Sequence, residues 1–282
     1  KQRTMKIFVA TGALFVFILS LSVTAEYFSG TKLLKESTYS RTVSYAGQSV
    51  ISCDAIGLPM AALDSLHRDH DVLNNTHGHI HVRVTSADER AEVEATVGSV
   101  CEYLYDLEDV VSSFEDELTT SRRLFAEDLA FDNFTTSSFE RKLATSRQGN
   151  DWFATYHTFR EIVLWYKDLN SDYPSITTFV NSVGKSREDR DIPAFHVTAP
   201  KKDGDSRRKV WIQCQVHARE WISAPSCMYI VHSLVTLYEK DKATTDLLKN
   251  AELIVIPIVN PDGYVHTWTQ DRLWRKNRSP QR

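Results

Sequence analysis

Leu253-Ile254-Val255-Ile256-Pro257-Ile258-Val259 constrains the fold more than any other run in the chain. All but one of these residues are aliphatic and none alternates with a polar one, so a strand built from them cannot turn either face to water. Such a strand needs cover on both sides, which is the α/β arrangement of helices packed on a mostly buried sheet. The neighbouring sequence agrees. Phe159, Ile162, Val163, Tyr166 and Leu169 recur at helical spacing and stop before Pro174. Residues 176–183, 192–198 and 209–216 read as strands, and 221–240 as a long helix. Asn260-Pro261-Asp262-Gly263-Tyr264 reads as a tight turn after the buried strand.

The sequence upstream has a different texture. Met5 and Lys6 lead into an apolar run over 7–23, broken only by Thr11, Gly12, Ser20 and Ser22, and Val23-Thr24-Ala25 closes it with small residues. That is the pattern of a secretory signal over residues 1–25, too short and too weakly flanked for a membrane anchor, so a secreted, extracellular protein is expected. Residues 26–76 show no sustained period. His79-Ile80-His81-Val82-Arg83-Val84-Thr85 alternates as a half-buried strand. Ser86 with Glu89 forms a capping box, and Val93, Val97, Val100 and Leu104 share one helical face behind it. A second strand is expected over 107–114 and a short helix over 121–131, which makes this a small α+β unit. His77, His79 and His81 project from one strand face without a carboxylate or cysteine to complete a metal site.

Residues 132–151 are polar, with Arg141-Lys142 and Arg147-Gln148-Gly149-Asn150 among them. They read as an exposed linker cleavable by a trypsin-like protease. A secreted small unit joined in this way to a larger one is organised as a zymogen. The chain carries 33 Lys+Arg against 37 Asp+Glu, a net charge of −4, which gives no electrostatic footprint for nucleic acid. Asn74-Asn75-Thr76 and Asn133-Phe134-Thr135 are sequons compatible with the secretory route, and four cysteines in an oxidising compartment favour disulfides.

The chemistry sits where a strand ends. His217-Ala218-Arg219-Glu220 follows directly on the strand over 209–216. A neutral imidazole and a carboxylate three residues apart in a strand-to-helix turn can reach one zinc ion. The place is also right, because open α/β sheets bind ligands beyond the carboxyl ends of their strands. Further on, Arg272-Leu273-Trp274-Arg275-Lys276-Asn277-Arg278 is either a solvated basic stretch or a set of guanidinium donors brought to the same edge.

Taken together, Tyr156-His157-Thr158, His217-Ala218-Arg219-Glu220-Trp221-Ile222, Asn260-Pro261-Asp262-Gly263-Tyr264 and Arg272-Leu273-Trp274-Arg275-Lys276 resemble, in order, the zinc metallocarboxypeptidases of the pancreatic A/B type, which are secreted as proenzymes. The resemblance covers roughly residues 152–282. It implies an α/β fold, the N-terminal half of a mixed-sheet carboxypeptidase domain with helices on both faces over 148–282. A prosegment over 26–147, clearest at 77–131, precedes it. It implies peptide or protein C-termini as substrate; the charge balance and the short apolar run add the expectation of no nucleic-acid partner and no stable membrane anchor. His217 and Glu220 match two of three protein ligands to a zinc cofactor. Arg275 matches the arginine that polarises the scissile carbonyl, and Arg219 and Arg272 match arginines of the substrate cleft. Cys214 and Cys227 match the positions of a disulfide in B-type members, whereas Cys53 and Cys101 have no counterpart and their pairing stays open. In the family the third zinc-binding histidine, the carboxylate-binding Asn-Arg pair, a capping tyrosine and the catalytic glutamate lie downstream of the position of Arg282. The expectation for this chain is therefore weak zinc binding and no peptidase activity.

Overall fold

The computed structural model describes residues 39, 41–129, 152–200 and 207–280. The expected signal, the linker and its cleavage segment, and the Asn133 sequon lie outside them. The described residues fall into two compact units, one over 44–115 and one over 116–280 with residues 39 and 41–43.

In the first unit, strands β1 (Ser49–Asp54), β2 (Asp71–Thr76), β3 (His79–Val84) and β4 (Glu102–Asp106) form an antiparallel sheet in the order β2-β3-β1-β4. The alternation in β3 has its expected effect: Ile80, Val82 and Val84 are buried and the residues between them are not. Helices α1 (Met60–Asp69) and α2 (Ala87–Val97) add Leu66, Val93 and Val97 to the same core. β2 and β3 join through His77 and Gly78, at φ 54° and 83°. Positive φ at both central residues is what a tight hairpin turn needs. Ser86 Oγ accepts from the Glu89 amide at 3.1 Å, as expected, but the Glu89 carboxylate accepts from the Thr85 amide and hydroxyl, at 2.8 and 2.7 Å.

Several expectations need correcting here. Gly98, at φ 73°, ends α2, so Val100 is exposed and Leu104 lies in β4. The region over 107–114 is helical, the start of α3 (Leu107–Leu129), which also takes in the short helix expected from 121. Over 107–121, Leu107, Val111, Phe114 and Leu118 are the buried positions, a spacing near 3.6 rather than 2. The stretch before His79, where no period was visible, holds β1, α1 and β2. Cys53 and Cys101, both buried, are disulfide-bonded and close a span of 48 residues.

The second unit carries α4 (Phe159–Asp172), β5 (Thr177–Val180), β6 (Ala194–Val197), β7 (Arg208–Gln213), α5 (Ser223–Leu237), α6 (Lys242–Asn250), β8 (Ala251–Ile256) and α7 (Pro261–Thr269). The sheet order is β5-β6-β8-β7, antiparallel except for the β7–β8 pair, and is therefore mixed. β8, the run that dictated the fold class, is interior to the sheet and mostly buried. Thr158 caps α4 in a full capping box with Glu161. The expected turn at 260–264 is instead the start of a helix. Asn260 is its N-cap, accepting from the Gly263 amide at 3.0 Å, and Pro261 fills the first helical position, where no amide is needed. Among the described residues no helix is long and apolar enough to cross a membrane.

Candidate metal centre

The parallel pair β7–β8 runs on past its last strand residues. Cys214 donates to the Ile256 carbonyl at 3.0 Å, Val259 to that of Cys214 at 3.0 Å, and Asn260 to that of Gln215 at 3.3 Å. Two chain segments thus leave the sheet side by side at one edge. One becomes the turn carrying His217 and Glu220, and the other becomes the cap of α7.

Within the turn, His217 Nδ1 lies 2.9 Å from Glu220 Oε1 and 3.1 Å from Oε2. Arg275 Nη2 approaches the same nitrogen at 3.1 Å, and its Nε is 4.0 Å from the Glu220 carboxylate. All three side chains are partly exposed, between 35% and 44%, and His217 and Arg275 line an open cleft of about 490 Å³ with Val216, Asn260 and Lys276. The imidazole nitrogen and the carboxylate oxygens lie about 3 Å apart, close enough to share one ion. That donor set fits two of the three protein ligands of a catalytic zinc ion. Among the described residues no group of three or more His, Cys, Asp or Glu side chains converges, here or elsewhere.

The tail holding Arg275 is fastened to the turn at four points. Ala218 donates to the Arg275 carbonyl at 2.9 Å. Asn260 Nδ2 donates both to the Val216 carbonyl, at 3.2 Å, and to that of Lys276, at 3.0 Å. Arg272 donates to the Arg219 carbonyl at 2.8 Å, and Arg219 returns a bond to Leu273 at 3.3 Å. The Arg272 guanidinium also lies 3.9 Å from the centre of the Trp221 ring, which stacks on Trp268. Arg219 and Arg272 are 3% and 1% exposed, so the basic stretch is split: Arg272 is buried against the turn with Arg219, and Arg275 faces the cleft. Gly263 is packed under the staple, where a Cβ would lie 2.5 Å from Asn260 Nδ2 and 2.7 Å from the Lys276 carbonyl.

Cys214 and Cys227 are disulfide-bonded and tie the end of β7 to α5 behind the turn. Asp262, in the first turn of α7, is buried and accepts from Ser186 Oγ at 2.6 Å, the Glu188 amide at 2.8 Å and Arg190 Nη1 at 2.8 Å. Burial pushes its carboxyl upward, but these hydrogen bonds and the Arg190 charge outweigh that and hold it below the usual carboxylate range. Tyr264 donates to the His157 carbonyl at 2.5 Å, which ties α7 to the Tyr156-His157-Thr158 segment. Asn260 and Asp262 escaped the sequence reading as site supports. An Asn-Pro pair directly after a buried strand was the available signal, since it is an N-cap followed by a first-turn proline.

Residues 162–282 match the family model described as zinc carboxypeptidase, peptidase M14. A protein of Ajellomyces capsulatus named "Inactive metallocarboxypeptidase ECM14" is 46% identical over 130 residues, covering 46% of this chain and 22% of its own length. Carboxypeptidase B2 of Bos taurus is 38% identical over 133 residues, covering 47% of this chain and 31% of its own. The crystal structure of carboxypeptidase A from Helicoverpa armigera superposes with a TM-score of 0.60 at 26% identity, over 83% of this chain and 54% of that one. The crystal structure of thrombin activatable fibrinolysis inhibitor shares the fold, with a TM-score of 0.55 at 24% identity over 83% of this chain and 55% of that one. Residues 162–282 are thus similar in sequence and fold to zinc carboxypeptidases. The chain spans between a fifth and a third of the length of these curated relatives.

Proposed function

We propose that this chain is part of a secreted zinc metallocarboxypeptidase proenzyme that releases C-terminal amino acids from peptides. In this reading 26–147 is the prosegment, 148–282 is the N-terminal part of the catalytic domain, and a trypsin-like protease separates them. The observation that carries it is the meeting of His217 Nδ1, the Glu220 carboxylate and the Arg275 guanidinium at the carboxyl edge of a parallel strand pair. His217 and Glu220 would hold the zinc, which when bound supplies Lewis-acid activation of water and of the scissile carbonyl. Arg275 places a fixed positive charge beside the pair, where negative charge develops on the carbonyl oxygen. Arg219 and Arg272, both buried, would brace the turn from beneath the cleft, through the carbonyls of Leu273 and Arg219 and the face of Trp221.

A second reading, a truncated non-enzymatic binding or inhibitory protein derived from such an enzyme, is favoured by the 46% identity to a relative named inactive. Zinc titration of the purified chain tests the first. Binding weaker than nanomolar, abolished by His217→Ala, is expected of a two-ligand site, with no release of amino acids from peptide substrates. Nanomolar affinity would refute the two-ligand assignment. Reading the coding sequence beyond the Arg282 codon separates the two functions: in-frame His, Asn-Arg, Tyr and Glu codons support the enzyme, and an authentic stop supports the binder.

A further inference from the structure

Four non-glycine residues among those described have positive φ: His77, Gln215, Asp189 and Glu239. Three of them are exposed in turns, where such a conformation is ordinary. Gln215 is different. It is 1% exposed, sits at φ 55° between β7 and the His217 turn, and has a side chain that gains nothing from a left-handed backbone. Glycine would meet the same backbone requirement without strain. Strain held at a buried position beside a site calls for a compensating role.

That role is visible in its hydrogen bonds. The Gln215 carboxamide folds back so that Nε2 donates to the His217 carbonyl at 3.1 Å and to that of Ala218 at 2.9 Å. Its own amide donates to Ser223 Oγ at the start of α5, at 2.9 Å, and its carbonyl accepts from Asn260. The Val216 carbonyl is held by Asn260 Nδ2. The peptide planes on both sides of His217 are therefore clamped, the following ones by one side chain.

We propose that Gln215 is a positioning residue for the His217–Glu220 pair, present in place of glycine for its carboxamide, which fixes the His217 backbone and with it the direction of the imidazole. Its effect on metal binding rests on the ligand reading above, whereas its hold on His217 does not. The test compares Gln215→Gly, which removes both strain and carboxamide, with Gln215→Ala, which removes the carboxamide and keeps the strain. Three quantities are read in the full chain: the unfolding midpoint, the imidazole NMR signal of His217 without metal, assigned by its loss in His217→Ala, and the affinity for Co²⁺.

The midpoint should follow the backbone, with the glycine variant above the alanine variant. The His217 signal should follow the carboxamide, shifting toward its averaged, mobile position equally in both variants. Co²⁺ affinity should fall by about 10- to 100-fold in both, the usual effect of losing a group that orients a ligand. A glycine variant whose His217 signal and Co²⁺ affinity match the parent overturns the proposal. Absence of Co²⁺ uptake by the parent chain counts against the ligand reading alone, and the His217 signal then decides the part played by Gln215.

Discussion

Replacing Asp262 by alanine removes the one acceptor shared by Ser186, Glu188 and Arg190 and leaves three donors facing an apolar methyl group. The magnitude lies between two limits. Breaking a fully buried ion pair costs about 3–5 kcal/mol, and an exposed pair is worth at most about 1 kcal/mol. Asp262 is 3% exposed, but the Arg190 side chain is 19% exposed and keeps Glu188 as a partner at 2.5 Å, so its share falls near the lower limit. The Ser186 hydroxyl and Glu188 amide lose bonds to an ionised acceptor, worth about 1.5 kcal/mol each. The expected loss is about 3–4 kcal/mol, or roughly 10 °C in midpoint for a unit of this size.

All six tryptophans lie between residues 152 and 274, so tryptophan fluorescence follows the second unit alone. The pH dependence fixes the cause. The folded carboxyl is held below its unfolded value, so the stabilisation is complete above an unfolded pKa of about 4 and is lost as pH falls through the folded pKa. The gap between parent and Asp262→Ala should therefore be full at pH 7 and shrink as pH falls below the unfolded value of about 4, while Asp262→Asn at pH 7 imitates the acid form. A gap under about 2 °C at pH 7, or one that widens on acidification, refutes the reasoning.

Two further outcomes follow from the same structure. Replacing Cys53 and Cys101 by alanine opens a 48-residue closure and should destabilise the first unit by about 4 kcal/mol, read by hydrogen exchange over β1 and β4, with the tryptophan transition unmoved. Asn260→Asp keeps the helix cap but turns the Nδ2 donor into an acceptor facing the Val216 and Lys276 carbonyls. It should cost about 2 kcal/mol and raise amide exchange around the Arg275 tail without fraying α7.

The parts of this fold that were legible in the sequence are those set by local period. β8 announced itself because Leu253–Ile256 and the residues after it form one apolar run, and α4 because Ile162, Tyr166 and Leu169 share a face and Thr158 caps it. The 107–114 segment was misread because Val110, Val111 and Phe114 suit a strand by composition, and only the burial of Leu107, Val111, Phe114 and Leu118 together shows the helix. β1 and β2 are short and take their order from pairing with β3, which leaves no mark within their own sequence. At the site, His217, Glu220 and Arg275 were legible as chemistry. Their supports were not, because Asn260, Asp262 and Gln215 act through backbone carbonyls and amides contributed by other segments.

The Asn260 staple and the Arg275 contact also place the site in time. His217 and Arg275 are 58 residues apart, and bringing them together from a flexible chain carries a closure entropy near 3–4 kcal/mol before any constant term. Nothing local offsets it; β8 must first register in parallel beside β7, a slow kind of pairing. The His217–Glu220 turn and Arg275 are therefore strangers until the sheet is complete. A partly folded chain presents neither the cleft nor its charge, and the chemistry this edge can perform begins only when folding is nearly over.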